Sequence, residues 1–582
     1  MKKKIKSEWV FKDVDFGIVS KLANAFRIPI PVAEVYVARG LDTIEKVNEF
    51  RSLKLSHLHD SYQMPDAVVA IDRLERAIKD GETITLWGDY DVDGITSTAV
   101  VVTAINMFGG KVDYHVPNRF TDGYDVKKKA VDIAVKNGSK LLMTVDCGIR
   151  AFETAKYAKE KGVDLLITDH HHPSSDGLIP ECIACVNPNR LDSTYAFNDL
   201  AGVGIAFKLM CGLAHRLGFN IRSVIDETIE YVAMGTVADV APMYGENRIL
   251  VAHGLEALAR TKKAGLKELL AVAGANPETI TTETIGFQIG PRLNACGRLE
   301  DAKQALDLIL ERHPREAKDL AIGADNLNKK RQRLQEEMMD EARAMVPQPS
   351  PPMTVLVLAK NTWHQGIVGL LAGKMAEEFG VPCLAMMINE EGGYAKGSGR
   401  SVRSYNLLSA ITAPDVHELF TACGGHSFAC GFTLPIENIP LLQERLHEIA
   451  VNTMRPVEEA TRFIDIDAMA TAGDLTPEMH SAMRTLAPFG NGHPDPIFMT
   501  SNLEIENIEL VGKSKQHLKL TLRCPDQDKV LSAVAWHKGA WASEFEVGQT
   551  VDVCYKTQVD VWKNICRITL LLEDIRLAEN HQ

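Results

Sequence analysis

Residues 84–94, Ile-Thr-Leu-Trp-Gly-Asp-Tyr-Asp-Val-Asp-Gly, join a short apolar run directly to three closely spaced aspartates. The same pattern recurs twice downstream, in residues 141–148 (LLMTVDCG) and 165–172 (LLITDHHH). Helical patterns lie between the apolar runs, for example from Ala151 to Gly162. Strand–helix–strand order repeated in this way predicts a parallel α/β sheet.

The acids and histidines occur where each predicted strand ends. Each strand is apolar throughout, as expected for a parallel strand that is covered on both faces. In an open parallel sheet the carboxyl ends of the strands line the ligand crevice. Three strands from distant parts of the chain would therefore bring carboxylates and imidazoles to one place.

The rest of the chain divides by composition. A long, charged helical pattern from Pro314 to Val346 is followed by the proline-rich residues 347–352, which predict a linker. The C-terminal part alternates in short strands, which is typical of a small OB-like barrel. The predicted parts are an N-terminal helical extension (1–70), an α/β catalytic domain (71–300), a connecting helix with linker (301–350), a smaller α/β domain (351–455) and an OB-like nucleic-acid-binding domain (456–582).

Bulk properties restrict the class of protein. No apolar run approaches the roughly 20 residues that span a bilayer, and no apolar stretch follows the basic N-terminus, so we expect a cytoplasmic protein without membrane contact. The net charge of −13 argues against a surface that is basic throughout, although a local basic groove remains compatible with it. The eleven cysteines are scattered, and no second pair accompanies Cys182 and Cys185, which disfavours structural zinc and a disulfide framework.

Three carboxylates lie at period two in the first segment, Asp89, Asp91 and Asp93. If the segment is extended, they point to one side, and their mutual repulsion favours a bound cation. An aspartate-rich turn after a strand explains the same spacing without a metal. Asp146 and the pair Asp169-His170, at two other strand ends, favour the metal site.

The mixture of ligands suggests which metal would bind. Carboxylate and imidazole together suit Mn²⁺, with Mg²⁺ as the alternative. Carboxylates that share one cleft suit two ions about 3.5–4 Å apart, an arrangement that cleaves phosphodiesters by in-line attack. Three consecutive histidines, residues 170–172, are not easily explained by packing. Asp239, which follows a small apolar helical stretch, is a further candidate ligand, although a helix end would explain it equally well.

Arginines beside glycines form a second set of candidates, since such arginines often recognise phosphates. They lie in residues 117–119, 290–298 and 398–400, and any one of them alone would be explained as a solvated loop arginine. Tyr124 would either stack on a base or pack in the interior. Residues 424–426, Gly-Gly-His, would either place an imidazole near a phosphate or form a tight turn.

Taken in order, these motifs resemble those of the DHH phosphoesterases. Residues 88–94, 145–148, 169–171 and 238–239 match the four motifs of that family, and residues 424–426 resemble the associated DHHA1 domain. The arginine segments, together with Trp363-His364-Gln365-Gly366, narrow the resemblance to the RecJ family of bacterial single-strand-specific exonucleases. The resemblance extends from about residue 70 to the end of the chain.

The resemblance implies an enzyme that degrades single-stranded DNA from 5′ to 3′ into mononucleotides, in recombination and repair. It implies metal ligands at Asp91, Asp93, Asp146, His170 and Asp239, with Asp89 and His171 as second-site or supporting residues. The 5′ phosphate would be held by Arg119, Ser398 and Arg400, the terminal bases would stack near Tyr124, and Arg298 would meet the strand near the scissile phosphate. Further candidate substrate-binding residues are Arg292, Asn294 and His426, whereas His172 has no assigned role.

The family also suggests partners. A single-strand-binding protein and a RecQ-type helicase are implied by the resemblance alone, and we expect a monomer.

Two alternative functions stay open. A smaller-substrate enzyme on the same fold would cleave oligoribonucleotides, cyclic dinucleotides or pyrophosphate. A non-catalytic replication scaffold would use the fold only to bind DNA, but such relatives lose acidic motif residues, and none is missing in this sequence.

Overall fold

The computed structural model describes residues 7–123, 125–174, 176–346, 354–402, 405–453, 462–512, 514–527, 529–562 and 565–578. The chain forms two compact units. One contains Met1–His59, Val240–Ala252 and Thr461–Gln582, and the other contains Asp60–Asp239 and His253–Ala460. No helix among the described residues is long and apolar enough to cross a membrane.

Residues 7–59 belong to the smaller unit. They form strand β1 (Ser7–Phe11) and helices α1 (Phe16–Phe26), α2 (Ile30–Ala38) and α3 (Ile44–Arg51). Asp15 caps α1 by accepting hydrogen bonds from the N–H groups of Gly17 and Ile18, and Thr43 caps α3. Such side-chain caps satisfy N–H groups that have no partner within the helix.

The larger unit begins with a parallel sheet, as the sequence predicts. Its strands lie in the order β3-β2-β4-β5-β6, and every neighbouring pair is parallel. Val126, Val131, Leu142, Ala155 and Ile167 belong to the apolar cluster on one face of this sheet. The elements are α4 (Ala67–Lys79), β2 (Thr83–Trp87), α5 (Val92–Met107), β3 (Lys111–His115), α6 (Lys128–Lys136), β4 (Leu141–Val145), α7 (Phe152–Lys161), β5 (Asp164–Thr168), β6 (Ala184–Val186), α8 (Gly202–Leu217) and α9 (Ile221–Ala238).

Helices follow the sheet and end in the long helix that the sequence predicts. They are α10 (Gly245–Ala259), α11 (Ala264–Ala273), α12 (Gly290–Leu299), α13 (Lys303–Leu310) and α14 (Pro314–Met345). A π-helix, Thr284–Ile289, leads directly into α12. The predicted linker, residues 347–352, lies outside the described residues.

The second lobe of the larger unit has a mixed sheet in the order β10-β11-β9-β8-β7. Among these described strands, β7 and β8 pair in parallel and the other neighbours pair antiparallel. Leu384, Leu407, Phe432 and Leu446 are among the buried side chains of its core. The elements are β7 (Leu356–Lys360), α15 (Val368–Phe379), β8 (Cys383–Asn389), β9 (Tyr394–Arg400), α16 (Leu407–Ile411), α17 (Pro414–His417), β10 (Ala422–His426), β11 (Ala429–Pro435) and α18 (Ile439–Thr453).

The C-terminal segment of the smaller unit is a closed five-stranded barrel. The strands lie in the order β14-β15-β16-β18-β17, and pairing of β14 with β17 closes the barrel, which confirms the predicted OB-like fold. Strand β12 pairs in parallel with β1 and thereby joins the two ends of this unit. The elements are β12 (Arg462–Ile466), β13 (Ala468–Met469), α19 (Pro477–Met483), β14 (Phe498–Val511), β15 (His517–Cys524), β16 (Lys529–Ala535), β17 (Thr550–Trp562) and β18 (Ile565–Leu577).

Candidate active site

Three adjacent strands, β2, β4 and β5, deliver acids and imidazoles to one edge of the sheet. Each strand is followed within two residues by an aspartate, and these aspartates, Asp89, Asp146 and Asp169, are almost fully buried. Asp146 adopts a φ of 61°, a left-handed conformation that turns the chain sharply after β4. The sets of side chains whose ligand atoms lie within 4.8 Å of one another are Asp146, His170 and His171; Asp93, His170 and Asp239; and Asp89, Asp91 and Asp146.

Helix ends supply the remaining carboxylates. Asp91 is the N-cap of α5, and its Oδ1 accepts a hydrogen bond from Gly94 N–H at 3.1 Å. Asp93 lies in the first turn of α5 rather than in the extended segment that we considered for the three aspartates. Its two oxygens accept hydrogen bonds from the N–H groups of Gly202 and Val203, at 2.7 and 2.9 Å. The N-terminus of α8 therefore holds the Asp93 carboxylate, which its dipole also stabilises.

Two glycines leave room for this carboxylate cluster. A methyl group at Gly202 would approach Asp146 Oδ1 to 2.7 Å, and a methyl group at Gly235 would approach Asp93 Oδ1 to 2.9 Å. Because neither carboxylate can move without losing its place in the cluster, only glycine fits at both positions. The helices α8 and α9 can thus pack against the ends of the strands without displacing the acids.

Burial opposes ionisation of four carboxyl groups in the cluster. The pKa values of Asp89 and Asp146 are raised well above the usual range, by burial first and by neighbouring aspartates second. The same two causes raise the pKa of Asp93 to about 7 and that of Asp239 to about 9. Without a cation, several of these groups would be protonated near neutral pH.

His170 lies among three of the carboxylates. Its Nε2 is 3.2 Å from Asp146 Oδ1 and 3.9 Å from Asp93 Oδ2, and its Nδ1 is 3.9 Å from Asp239 Oδ2. Burial, and then the neighbouring His171, lower the pKa of His170 to about 4, so the ring is neutral at physiological pH. The buried Asp146 Oδ1 accepts no hydrogen bond from the described residues. A neutral imidazole among carboxylate oxygens is a set of ligands that suits a divalent cation, so these residues fit a divalent metal.

His171 is held differently from His170. Its Nδ1 lies 2.7 Å from Asp169 Oδ1, and the same carboxylate accepts hydrogen bonds from the N–H groups of Ile149, His170 and His171. Burial, the largest single cause, lowers the pKa of His171. The hydrogen bond with Asp169 and the charges of Asp169, Asp239 and Asp89 together outweigh burial and raise this pKa to about 9. Asp169 therefore orients the His170-His171 segment and does not face the metal ligands itself.

Four arginines of the larger unit lie near this edge without a counter-ion. Among the described residues, no carboxylate lies within 4 Å of Arg119, Arg298, Arg331 or Arg400. Burial lowers the pKa of Arg298 to about 9, and the charges of the other three arginines contribute. Arg119 stacks over the Tyr90 ring at 4.2 Å, and its buried Nε has no hydrogen-bond partner in the described residues. A cluster of this kind favours a polyanion.

Comparison with known proteins agrees with this geometry. Three family models match: the DHH family, N-terminal domain, over residues 83–236; the DHHA1 domain over residues 352–452; and the RecJ OB domain over residues 466–574. The single-stranded-DNA-specific exonuclease RecJ of Bacillus subtilis strain 168 is 37% identical over 574 residues, which cover 99% of this chain and 71% of the relative. The chain belongs to the RecJ family. The RecJ of Salmonella typhimurium strain LT2 is 31% identical, covering 94% of this chain and 96% of the relative.

Solved structures of RecJ share the whole fold of this family member. RecJ from Thermus thermophilus in complex with Mn²⁺ matches with a TM-score of 0.82 and 26% identity, covering 99% of this chain and 80% of the other. The Mg²⁺ complex from the same organism matches with a TM-score of 0.77 and 25% identity, covering 99% and 79%. The resemblance that the motifs indicated is therefore confirmed over the full chain.

In this RecJ-family chain, Ser398 and Arg400 lie on one face of β9. Residues alternate along the strand, so Gly397 and Gly399 face the core, where a methyl group at Gly399 would approach Cys430 Sγ to 2.6 Å. These glycines are thus required by packing against the core. The polar face points to the first turn of α15, where a methyl group at Gly369 would lie 3.3 Å from Ser398 Oγ and 3.4 Å from Arg400 Nη2. A helix N-terminus, a hydroxyl and a guanidinium together suit a phosphate.

The other predicted substrate-binding residues have varied surroundings. Arg292 forms an ion pair with Asp325 of α14 at 2.9 Å and donates a hydrogen bond to Gln288 O at 2.7 Å. Asn294 is half-buried and lies one turn before Arg298 on α12. The pKa of His426, an exposed residue at the end of β10, is lowered by burial first and then by the charges of Arg150, His171 and His172. Tyr124 lies outside the described residues.

Two features of this cleft were not predicted from the sequence. Arg331 lies on α14, where it donates hydrogen bonds to Asn328 Oδ1 at 2.5 Å and to Gln335 Oε1 at 3.0 Å. On a charged helix Arg331 looks like an ordinary solvated residue in the sequence, and only its partial burial and the effect of its charge on the pKa of Arg298 distinguish it. The backbone of Gly366 packs directly against the C-terminal end of α12, because a methyl group at Gly366 would approach Arg298 O to 2.0 Å.

Proposed function

We propose that this chain hydrolyses single-stranded DNA from its 5′ end into 5′-mononucleotides with two divalent metal ions, in DNA recombination and repair. The observation that carries the proposal is the presence, in one unit, of a carboxylate–imidazole cluster beside four arginines that have no counter-ion among the described residues. The acids suit metals and the arginines suit a phosphate backbone. Family membership supports the same activity, since the relatives are named single-stranded-DNA-specific exonucleases.

The chain's own side chains would hold the ions and position the phosphate. Asp91, Asp93, Asp146, His170 and Asp239 are the proposed ligands, and Asp89 is a ligand of the second ion or supports one. When bound, the ions would lower the pKa of a coordinated water and stabilise charge on the leaving oxygen. Arg298 would hold the phosphate that is cleaved.

The arginines beside the metal ligands support the proposed direction of cleavage. Arg119, Ser398 and Arg400 would bind a terminal 5′ phosphate. Arg119 stacks on the ring of Tyr90, and Tyr90 lies in the sequence between Asp89 and Asp91, two of the proposed metal ligands. A terminal phosphate that is bound beside the metal ions leaves room for only a short 5′ product. We propose that this short distance between the 5′-phosphate site and the ions limits the product to a mononucleotide.

The barrel would bind the remaining strand, because small barrels of this topology present a groove for single-stranded nucleic acid. Binding should therefore weaken with salt. A single-strand-binding protein and a RecQ-type helicase remain proposed partners, with a monomer in the cytoplasm as the acting form.

The test compares two substrates under one condition. The protein with Mn²⁺ is incubated with 5′-labelled single-stranded DNA and with dinucleotides, and the products are separated by size. We expect labelled mononucleotides to appear first from the DNA. A preference for dinucleotides would instead assign the chain to the smaller-substrate enzymes.

Arg400→Ala should reduce the preference for a 5′-phosphorylated end over a 5′-hydroxyl end. A hydrogen bond to a charged group contributes about 1.5–3 kcal/mol, so the ratio of kcat/KM for the two ends should fall roughly 10-fold or more. Lys396→Ala is the matched control. It removes a positive charge from the same face of β9, four residues before Arg400. An unchanged ratio in Arg400→Ala would remove this residue from the 5′ site.

Arg331→Gln should weaken binding of single-stranded DNA roughly 10-fold, because it removes a half-buried guanidinium that has no carboxylate partner among the described residues and would bind a phosphate. The slope of log affinity against log salt should become shallower by about one phosphate contact. Arg333→Gln is the control, since Arg333 is exposed and lies about 200° further around α14. Equal salt slopes in the two variants would show that Arg331 meets no phosphate.

A further inference from the structure

We propose that Phe287 stacks on a base of the DNA strand beyond the metal centre, on the 3′ side of the cleaved phosphate. This inference rests on the proposed function and adds a residue that holds the strand. Phe287 lies in the π-helix Thr284–Ile289, and 79% of its side chain is exposed. Short π-helical turns next to regular helices occur frequently at functional sites.

The helix after Phe287 runs along the metal edge. At its C-terminal end, a methyl group at Gly297 would approach Tyr90 O to 2.8 Å, within the first acidic motif. At its N-terminal end, a methyl group at Gly290 would lie 3.8 Å from Ala238 Cβ, and Ala238 directly precedes Asp239. Helix α12 therefore extends from the first motif to the last proposed ligand.

Phe287 lies on the side of this helix that carries the DNA-facing residues. Asn294 and Arg298 are one turn apart on α12, and Phe287 precedes them by seven and eleven residues. Three of these steps lie in the π-helix, which turns less per residue than an α-helix, so Phe287 lies within about a quarter turn of the direction of Asn294 and Arg298. With a rise of about 1.5 Å per residue in α12 and less in the π-helix, Phe287 is roughly 15 Å from Arg298 along the axis. No acidic residue occurs from Thr284 to Leu299, so nothing in this segment repels a phosphate backbone.

The arginines determine in which direction, 5′ to 3′, the DNA strand runs along this helix. Arg119, Arg400 and Arg298 are close enough for their charges to act on one another, and Arg298 is at the C-terminal end of α12. With the 5′ phosphate held there, the strand passes the metal ligands and reaches Phe287 on its 3′ side. At the 3.4 Å spacing of a stacked strand, about four to five nucleotides cover this distance, and fewer do if the strand is extended.

A flat aromatic surface suits this position. Every base has a π face, so stacking holds the strand without selecting a sequence. This is the property that an enzyme needs when it consumes one nucleotide after another. The occupant we assign is therefore a DNA base, and a protein segment or a second copy of the chain is the competing outcome.

The test measures binding of the whole chain, without metal, to 5′-phosphorylated oligonucleotides of two to twelve nucleotides by fluorescence anisotropy. For wild type we expect a step in affinity once the oligonucleotide is long enough to reach Phe287. Phe287→Ala should lose roughly 5- to 150-fold in affinity for oligonucleotides beyond the step, and nothing for shorter ones. Phe287→Trp should retain the step, whereas Phe287→Leu should not.

Phe16→Ala is the control, since Phe16 is a 63% exposed phenylalanine of the other unit. The inference is wrong if Phe287→Ala binds long oligonucleotides as wild type does, or loses affinity equally at every length. It is also wrong if Phe287→Ala changes the sedimentation of the free protein while DNA binding stays intact, because the surface would then contact another chain. Absence of any binding by wild type would instead overturn the proposed function.

Discussion

Replacing His170 by alanine should abolish cleavage of single-stranded DNA and leave DNA binding nearly intact. The imidazole lies within 4 Å of Asp93, Asp146 and Asp239, so its loss would leave these three carboxylates without the neutral ligand beside them. Metal ions supply several kcal/mol of transition-state stabilisation, and each 1.36 kcal/mol is tenfold in rate. We therefore expect kcat to fall by roughly 10³-fold or more.

The measurement combines single-turnover cleavage with anisotropy on the same oligonucleotide. His172→Ala is the matched control, because His172 lies two residues after His170 in the same run of histidines. The backbone carbonyl group of His172 accepts hydrogen bonds from Arg150, and the alanine variant keeps that carbonyl group. Asp93→Asn should behave as His170→Ala does. Full activity in His170→Ala would rule out the metal assignment, and a parallel loss of DNA binding would point to a role in folding.

Metal affinity should rise steeply with pH across the neutral range. Burial, and then the charges of neighbouring aspartates, raise the pKa of Asp93 to about 7 and that of Asp239 to about 9 in the metal-free protein. A metal binds the ionised carboxylates, so protons compete with it below these pKa values. Below pH 7 both groups are protonated, so the affinity should rise by up to about 100-fold per pH unit there. Between about pH 7 and 9 only Asp239 remains protonated, so the rise should fall to about 10-fold per pH unit.

Isothermal titration calorimetry in two buffers with different ionisation enthalpies tests this effect. At pH 6.5 we expect Mn²⁺ binding to release more than one proton per protein. The protein's exonuclease rate at limiting Mn²⁺ should follow the same pH dependence, and excess Mn²⁺ should flatten it. Binding without proton release would show that the carboxylates are already ionised without metal.

The strand ends were predictable from the sequence for a physical reason. Parallel strands are covered on both faces, so each is continuously apolar and a polar residue at its end stands out. That contrast is enough to indicate Asp89, Asp146 and His170 from the sequence alone. Which end residues converge follows from strand order, since β2, β4 and β5 are neighbours in the sheet.

Other parts of the site could not be predicted. The spacing of Asp91 and Asp93 does not reveal that a helix begins between them, because an extended segment and a helix N-terminus tolerate the same residues. Arg292 and Arg298 look alike in sequence, yet one is paired with Asp325 and the other has no counter-ion among the described residues. Whether an arginine has a counter-ion depends on residues far away in the sequence, such as Asp325 for Arg292.

Long-range pairing limited the prediction of the smaller unit as well. The barrel strands alternate in a recognisable way, and their closed order confirmed the OB-like fold. Strand β1 pairs with β12, whose residues lie more than 400 positions later, and nothing local in residues 7–11 indicates this partner. The predicted N-terminal segment was therefore helical and lacked its first strand.

Anomalous diffraction from a crystal soaked in Mn²⁺ tests the central claim most directly. We expect manganese peaks enclosed by Asp91, Asp93, Asp146, His170 and Asp239, with a second peak beside Asp89. Peaks only at other surface carboxylates, with Asp146 and His170 left hydrogen-bonded to protein groups alone, would contradict the assignment of a metal-dependent nuclease.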